Sequence, residues 1–461
     1  MPLSVWWICE SKPFFMTQRQ ASYNIDDILL FPQGIEIVPY DNVFVAISVE
    51  TANWIVLYNP VQKTIFESLL KGHTIGEAYE KVGEQGLQDL KTVLAGIYAR
   101  KLAGTGSAPI KEYYDATKHL NIYLTNSCNL RCVHCFMKSG LKYVNELQKN
   151  DWKNVLQQFS DNGGTNVTFT GGEPLMNQDF EEIVEFAHNI GLEVTVLSNG
   201  VLWTDDMIHR MVPYITEVQF SIDGVNEQDN AKVRGSNHFE KVVHTVISFA
   251  NSGVRTSVAT TFTLDNISSA EAYKRFIDSI KAATGNKVFF KLTKKILLGR
   301  DIVYDDSVNQ DYYQKIINIE RFVDPHAPET NFMEGHEPNK AMQNCGYGGL
   351  SIAANGNVFL CNRILELQSY GNVKTKPLKE FVAIGKKALQ QSAVDQVEPC
   401  RNCALRYICG GDCRIDHFNF KGKLQGWTGN IRQIDCDEKF RHSLLKRMVE
   451  SYSYYYHVHG I

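Results

Sequence analysis

The stretch TNSCNLRCVHCFMKSG, residues 125–140, places three cysteines within eight positions. They are Cys128, Cys132 and Cys135, with the spacing C-x3-C-x2-C. A single four-coordinate metal ion needs four ligands. Three thiolates on one loop instead suit a four-iron cluster in which one iron has no protein ligand and can bind a small molecule. The alternative is a zinc site with a distant fourth ligand such as His134. The spacing favours iron and sulfur over zinc.

The overall composition is that of an ordinary globular protein. The 461 residues carry a formal net charge of −4, so no basic surface indicates nucleic-acid binding. No apolar run approaches the roughly 18 residues of a membrane-spanning helix. The start, MPLSVWWICESKPFF, is not typical of a secretory signal. Without an export signal, the odd number of cysteines, eleven, favours metal binding over disulfides. We expect a cytoplasmic protein that binds neither nucleic acid nor membrane.

The middle of the chain, residues 118–300, alternates between strand and helix patterns. Six strands are predicted: NIYLT (121–125), NVTFT (166–170), LEVTVLS (192–198), EVQFSID (217–223), RTSVATTFT (255–263) and KVFFKLT (287–293). Such alternation is typical of a parallel sheet with right-handed crossovers. Six units predict an α/β fold with a partial (β/α)6 barrel rather than the closed eight-unit form.

Short polar motifs follow each of the first four strands. The cysteine loop follows the first, GGEP (171–174) the second, SNG (198–200) the third and SIDG (221–224) the fourth. The carboxyl ends of parallel strands open on one face, where ligands bind. We therefore expect one face to gather three thiols, a Gly-Gly turn with a carboxylate, and several hydroxyl and amide groups.

This combination of motifs resembles the radical S-adenosylmethionine (SAM) superfamily. The resemblance implies that a [4Fe–4S] cluster on the three loop cysteines binds SAM and that a 5′-deoxyadenosyl radical abstracts hydrogen from a substrate. It also implies a set of SAM contacts: Gly171, Gly172 and Glu173 at the methionine ammonium, Ser198, Ser221 and Asp223 near the methionyl or ribose groups, Arg234 at the carboxylate, and His134 near the adenine. The structural alternative for Ser198 is a strand-end cap, and the alternative for Arg234 is a surface ion pair. No general base can be named.

Seven more cysteines lie near the C-terminus, five of them within residues 400–436, where an even spread would place about one. They are Cys345, Cys361, Cys400, Cys403, Cys409, Cys413 and Cys436. Two structural zinc sites are the alternative. Behind such a core the pattern resembles the SPASM extension, which implies two auxiliary [4Fe–4S] clusters and three clusters in all. The resemblance assigns Cys400, Cys403, Cys409 and Cys436 to one cluster, and Cys345, Cys361 and Cys413 to the other. Some relatives have an eighth cysteine where this chain has Ser351, so the second cluster lacks a ligand, which Cys9 could supply.

The N-terminal part, residues 25–104, predicts three strands followed by three helices, with a linker at 103–111. The order of elements resembles the PqqD-like recognition element of peptide-modifying enzymes, which implies binding of a leader peptide as an added strand. The alternative is a winged-helix fold with another role, such as DNA binding, which the lack of a basic patch disfavours.

These features predict an enzyme that modifies a ribosomally made peptide (a RiPP maturase) and forms a thioether or carbon–carbon cross-link. We expect four regions: 1–110 for recognition, 111–310 for the radical SAM core, 311–340 as a bridge and 341–461 as the SPASM domain. The expected partners are a precursor peptide with its leader and an electron donor such as flavodoxin or ferredoxin. The alternatives are a sulfatase-type formylglycine maturase and a non-catalytic iron–sulfur or zinc scaffold.

Overall fold

The structure, a computed structural model, describes residues 3–4, 22–104, 115–297, 299–336 and 345–458. Cys9 and most of the expected linker lie outside these ranges. The strands are β1 (Leu3–Ser4), β2 (Ser22–Tyr23), β3 (Ile35–Tyr40), β4 (Val43–Ser48), β5 (Asn53–Leu57), β6 (His119–Tyr123), β7 (Asn166–Thr170), β8 (Glu193–Ser198), β9 (Glu217–Ser221), β10 (Arg255–Thr260), β11 (Val288–Leu292), β12 (Leu350–Ile352), β13 (Asn357–Phe359) and β14 (Gly371–Asn372). The helices are α1 (Pro60–Leu70), α2 (Ile75–Val82), α3 (Leu87–Ala99), α4 (Lys149–Asp161), α5 (Phe180–Asn189), α6 (Asp205–Met211), α7 (Glu227–Arg234), α8 (Phe239–Asn251), α9 (Ala270–Thr284), α10 (Asp306–Val323), α11 (Ala327–Glu334), α12 (Leu378–Gln391), α13 (Arg406–Cys409) and α14 (Glu438–Val458).

The chain divides into two compact units. The first unit comprises Met1–Tyr114, His326–Cys345 and Gln390–Ile461, and the second comprises Asp115–Pro325 and Gly346–Leu389. The limits of these two units differ from those of the four expected regions, which stay a prediction. No helix in the described ranges is long and apolar enough to cross a membrane.

The second unit is built on a nine-stranded sheet with the order β11-β10-β9-β8-β7-β6-β12-β13-β14. Strands β6 to β11 are parallel and follow one another in chain order. They lie within two residues of the predicted strands at their starts and within three at their ends. The sheet continues beyond β6 because β12 pairs with it in parallel, with Leu350 opposite Leu120. The sequence patterns did not predict this extension, since it joins two distant parts of the chain.

Alternation along the strands explains how this sheet is covered. In β8, Val194 and Val196 are fully buried, whereas Thr195 between them is only half-buried. Successive side chains of a strand point to opposite faces, so one face of the sheet is a continuous apolar layer. Helices pack against that layer: α5 contacts β8, and α8 contacts β10.

The first unit contains the antiparallel sheet β3-β4-β5, followed by α1, α2 and α3. Pro60 occupies the first turn of α1, where its missing N–H costs nothing, and the Asn59 side chain accepts a hydrogen bond from Gln62. Thr74 and Glu77 form a capping box at the start of α2. The predicted three strands and three helices are thus present. Their role in peptide recognition stays a prediction.

Residues from the end of the chain complete the first unit. Helix α14 packs against α11 and β5. The ring of Trp54 on β5 lies 6.0 Å from that of Phe332 and 5.8 Å from that of His336, measured between centroids. The buried Arg100 donates to the His336 carbonyl oxygen at 3.3 Å. The N-terminal strands and helices therefore share their core with C-terminal residues instead of forming a separate module.

Candidate active site

The three-cysteine loop follows β6 in the second unit and is fixed mainly through its backbone. The Cys128 N–H donates to the Gly140 carbonyl at 3.0 Å, and the Cys135 N–H donates to the Cys132 carbonyl at 3.3 Å. Burial raises the pKa of the Cys128 thiol to about 11. Burial also raises the pKa of Cys132, although the nearby Arg234 opposes the shift. Thiols in this setting stay protonated until a metal displaces their protons.

The Gly-Gly turn after β7 lies directly against this loop. The Gly172 N–H donates to the Thr125 carbonyl at 2.8 Å, and the Glu173 N–H donates to the Ser127 carbonyl at 2.9 Å. A Cβ at Gly172 would lie 2.2 Å from the Ser127 oxygen, and one at Gly171 would lie 2.4 Å from the Thr125 oxygen. Only glycine permits so close an approach. The turn therefore sets the position of the loop just before Cys128.

Glu173 is fully buried and holds the ends of two strands together. Its carboxylate accepts hydrogen bonds from the Ser198 hydroxyl at 2.8 Å, the Asn199 N–H at 2.7 Å and the Leu175 N–H at 3.4 Å. Burial raises the pKa of Glu173 to about 7, against the opposing effect of these hydrogen bonds. Both carboxylate oxygens thus have partners within the protein. A contact between Glu173 and the methionine ammonium stays a prediction.

Ser198 is also fully engaged within the protein. Its hydroxyl donates to Glu173 and accepts from the Gly200 N–H at 3.0 Å and the Trp203 indole N–H at 3.2 Å. This arrangement is a strand-end cap, the structural alternative to a SAM contact for Ser198. The next residue, Asn199, donates its amide to the Asn129 side chain at 2.8 Å and so reaches the cysteine loop. The SNG motif contains Asn199, but neither asparagine is among the expected SAM contacts.

A buried charge cluster joins three of the residues that the sequence assigns to SAM. The Asp223 carboxylate forms an ion pair with Arg234 Nε at 2.6 Å, is hydrogen-bonded to His134 Nε2 at 2.7 Å, and accepts from the Thr261 N–H at 2.7 Å. Burial opposes ionisation of Asp223, but Arg234 and then His134 outweigh it and lower the pKa of this carboxyl. Arg234 also reaches Cys132, with 3.8 Å between Nη1 and Sγ. The ion pair of Arg234 is therefore internal rather than a surface one.

Further residues hold the cysteine loop from its other side. The Val133 N–H donates to the Val233 carbonyl at 3.1 Å, and the Asp301 N–H donates to the Val133 carbonyl at 2.9 Å. A Cβ at Gly299 would lie 2.8 Å from the His134 oxygen. Arg300 donates to the Ser139 carbonyl. The segment after β11 thus supports the loop. The sequence signal for it, a Gly-Arg pair after the sixth strand, is too short to be read alone.

Ser221 ends β9 and is half-buried, on the same face of the sheet as Gln219. Its place at the carboxyl end of the strand matches the expectation, and its contact with SAM stays a prediction.

Six of the C-terminal cysteines lie in the first unit and fall into two groups. Burial raises the pKa of Cys400 to about 12, and the charges of Cys409, Cys436 and Cys403 add to the shift. These four thiols therefore lie near one another. Separately, a hydrogen bond with Cys345, followed by burial, raises the pKa of Cys413. The assignment of these groups to two clusters stays a prediction.

Cys361 belongs to the second unit, where its thiol lies 3.4 Å from the Asn362 side-chain oxygen. Burial, and then the charge of Cys361, raise the pKa of Tyr123. Its part in a cluster with Cys345 and Cys413 stays a prediction. Ser351, where some relatives have an eighth cysteine, is fully buried on β12.

The donor sets fit iron–sulfur clusters. Among the described residues, no three His, Cys, Asp or Glu side chains come close enough to hold one metal ion. A four-iron cluster does not need them to converge, because each thiolate binds a different iron. The fit at the cysteine loop rests on three thiols of one short loop, two glycines that admit no Cβ, and a buried guanidinium beside one thiol.

Comparison with known proteins agrees with this geometry. Residues 122–277 match the Radical SAM superfamily. Residues 122–277 form a radical SAM domain. A solved structure of anSMEcpe with bound AdoMet has a TM-score of 0.52 at 17% identity, covering 72% of this chain and 99% of that one. The predicted α/β fold with its parallel sheet is confirmed.

Two relatives show how far the sequence similarity extends along the chain. The sporulation killing factor maturation protein SkfB of Bacillus subtilis (strain 168) is 30% identical over 182 residues, which are 39% of this chain and 43% of SkfB. The AdoMet-dependent heme synthase of Nitratidesulfovibrio vulgaris is 25% identical over 328 residues, 65% of this chain and 88% of that protein. The aligned part of the chain spans less than half the length of SkfB.

Proposed function

We propose that this protein is a radical SAM maturase that forms an intramolecular cross-link, thioether or carbon–carbon, in a ribosomally made precursor peptide. The observation that carries the proposal is the cysteine loop held against the Gly-Gly turn at the carboxyl ends of β6 and β7. The name of SkfB, a maturation protein, supports a peptide substrate.

The protein's own residues prepare the site for SAM. Cys128, Cys132 and Cys135 hold the [4Fe–4S] cluster, which when bound supplies the electron for reductive cleavage of SAM. Asp223 fixes Arg234 through a buried ion pair, so the free face of the guanidinium has a set direction for the SAM carboxylate. Asp223 also contacts His134 Nε2 at 2.7 Å, which fixes this side chain of the cysteine loop.

Cross-linking removes two hydrogens from the peptide. One leaves as a hydrogen atom to the deoxyadenosyl group, and the other leaves as a proton with one electron. We propose that auxiliary clusters, which the two cysteine groups of the first unit would hold, would take up that electron. The electron that starts each cycle comes from a low-potential donor such as flavodoxin or ferredoxin.

We further propose that the N-terminal strands bind the leader peptide. In the described part of the chain β3 pairs with β4 alone, so its outer edge can receive an added strand. The exposed Ile28 and Leu30 lie beside this edge, in a groove of about 520 Å³ lined by residues 28–35 and 70–72. Holding the leader there raises the concentration of the core peptide at the barrel.

A second candidate is modification of a tetrapyrrole. The longer alignment, with the heme synthase, favours it because that alignment covers 88% of the relative. The N-terminal sheet with a free edge counts against it, since a tetrapyrrole needs no added strand.

The test is a reaction without oxygen of the iron-loaded protein with SAM, a reductant and the peptide encoded beside its gene. We expect 5′-deoxyadenosine together with a peptide lighter by two hydrogens. A peptide without its leader should react far more slowly. Formation of heme from an added tetrapyrrole, with the peptide unchanged, would move the assignment to the second candidate, and an unchanged mass of both substrates would reject both.

A further inference from the structure

Arg414 is a buried cation in the first unit, with 2% of its surface exposed. Its guanidinium donates to the Ser392 carbonyl at 3.0 Å, the Gly410 carbonyl at 2.9 Å and the Asp412 carbonyl at 2.6 Å. It also lies over the Phe418 ring, 4.6 Å from the centroid. These contacts fix the position of the guanidinium, but carbonyl groups and an aromatic face bring no full negative charge. A buried charge of this kind needs a compensating charge nearby.

Cysteines of both groups flank this cation, and the thiolates that hold a cluster would supply the compensating negative charge. Gly410 and Asp412, which the guanidinium binds, lie between Cys409 and Cys413 in the chain, so the guanidinium is inserted where the two groups meet. Burial lowers the pKa of Arg414, and the thiols that oppose this shift are Cys345, Cys400, Cys409 and Cys413. Two of these belong to one group and two to the other.

We propose that Arg414 is the shared counter-ion of the two auxiliary clusters and that its charge raises the reduction potential of both. This inference rests on the proposed function, because it requires clusters on both cysteine groups. The physical reason is that reduction adds a negative charge to a cluster, and a fixed cation in a low-dielectric interior stabilises that charge. The role is that of a positioning and tuning residue, since Arg414 is not a ligand.

Arg441 provides a matched comparison within the same unit. It lies in the first turn of α14 and is exposed, and its hydrogen bond with Cys436 raises the pKa of Arg441, with Cys403 and Cys400 contributing. All three thiols belong to one group. Removal of this charge should therefore act on one cluster only, and weakly, because water screens an exposed charge.

The experiment is a redox titration of the full-length, iron-loaded protein followed by electron paramagnetic resonance, with the Cys128, Cys132 and Cys135 cluster removed by substitution to simplify the spectra. We expect Arg414→Gln to lower the midpoint potentials of both remaining clusters. Arg414→Lys, which keeps the charge, should leave both near the wild-type values. Arg441→Gln should shift one potential at most.

If Arg414→Gln fails to load iron, Arg414→Met is the second neutral variant, since it fills more of the same volume. Unchanged potentials in the neutral variant would overturn the proposal, as would a shift of only one potential or an equal drop in Arg414→Lys. Iron analysis separates this outcome from failure of the proposed function. A wild-type protein that binds no iron beyond the first cluster would reject the auxiliary clusters themselves.

Discussion

Replacement of Glu173 tests how the site is held together. Glu173→Ala leaves the Ser198 hydroxyl and the Asn199 N–H without an acceptor, since both now bond the carboxylate at 2.8 Å or less. A buried donor without a partner costs about 1–3 kcal/mol. Two such donors give about 2–6 kcal/mol, and the removal of a carboxylate that is costly to bury favours the lower half of that range. We expect a loss of about 3 kcal/mol in the free energy of unfolding.

Glu173→Gln should lose less, because its carbonyl oxygen can replace one of the two acceptors. The amide nitrogen then faces the remaining donor, so about 1–3 kcal/mol is lost. The Ser198 hydroxyl cannot turn away to relieve this, since it already accepts from Gly200 and Trp203. The expected order of stability is wild type, then Gln, then Ala.

The pH dependence follows from the raised pKa of Glu173. The unfolded chain loses this proton near pH 4.5, whereas the folded protein keeps it until about pH 7. The folded state therefore binds more protons in that window, and wild-type stability should fall as pH rises from 4.5 to 7. The side chain of Glu173→Gln cannot titrate, so this variant should not show the loss of stability that Glu173 causes between pH 4.5 and 7.

Urea unfolding at several pH values, without metal, measures these effects through the transition midpoint and slope. Glu182→Ala is the control, because Glu182 is exposed and pairs only with surface lysines, and its midpoint should not move. Wild-type stability in Glu173→Ala, or the same pH profile in Glu173→Gln, would refute the reasoning.

Two other substitutions test the support of the cluster loop. Asp223→Asn leaves the buried Arg234 without its counter-ion and should cost about 3 kcal/mol of stability. It should also weaken SAM binding, measured by calorimetry, and an affinity equal to wild type would show that Asp223 does not position Arg234. Gly172→Ala would place a Cβ 2.2 Å from the Ser127 oxygen and should reduce iron uptake at the three-cysteine loop. The control Gly104→Ala meets no atom within 4 Å and should bind as much iron as wild type.

The local patterns predicted most of the elements. Strand β7 has the predicted bounds because a short β-rich segment lies between Gly-Gly turns. Helix α2 begins after Thr74, since Thr74 and Glu77 form a capping box. These features depend on neighbours within a few residues, and such neighbours can be read from the sequence.

Long-range contacts could not be read in the same way. Strand β12 joins β6 from a distant part of the chain, and neither strand carries a mark that identifies the other. No motif indicates that both carboxylate oxygens of Glu173 have hydrogen-bond partners. Nor does any motif indicate that Arg414 is buried near thiols. The motifs indicate candidate residues of the site, whereas the hydrogen bonds of these residues depend on how the strands pair.

The central claim is that a cluster on Cys128, Cys132 and Cys135 supplies the electron that cleaves SAM. The most direct measurement is the yield of 5′-deoxyadenosine from SAM and dithionite without oxygen, for the wild type and for a variant with all three cysteines changed to alanine. The wild type should form the nucleoside, and the variant should form none while it keeps the iron held by the other cysteines. Equal yields from both proteins, or no nucleoside from a fully iron-loaded wild type, would contradict the account.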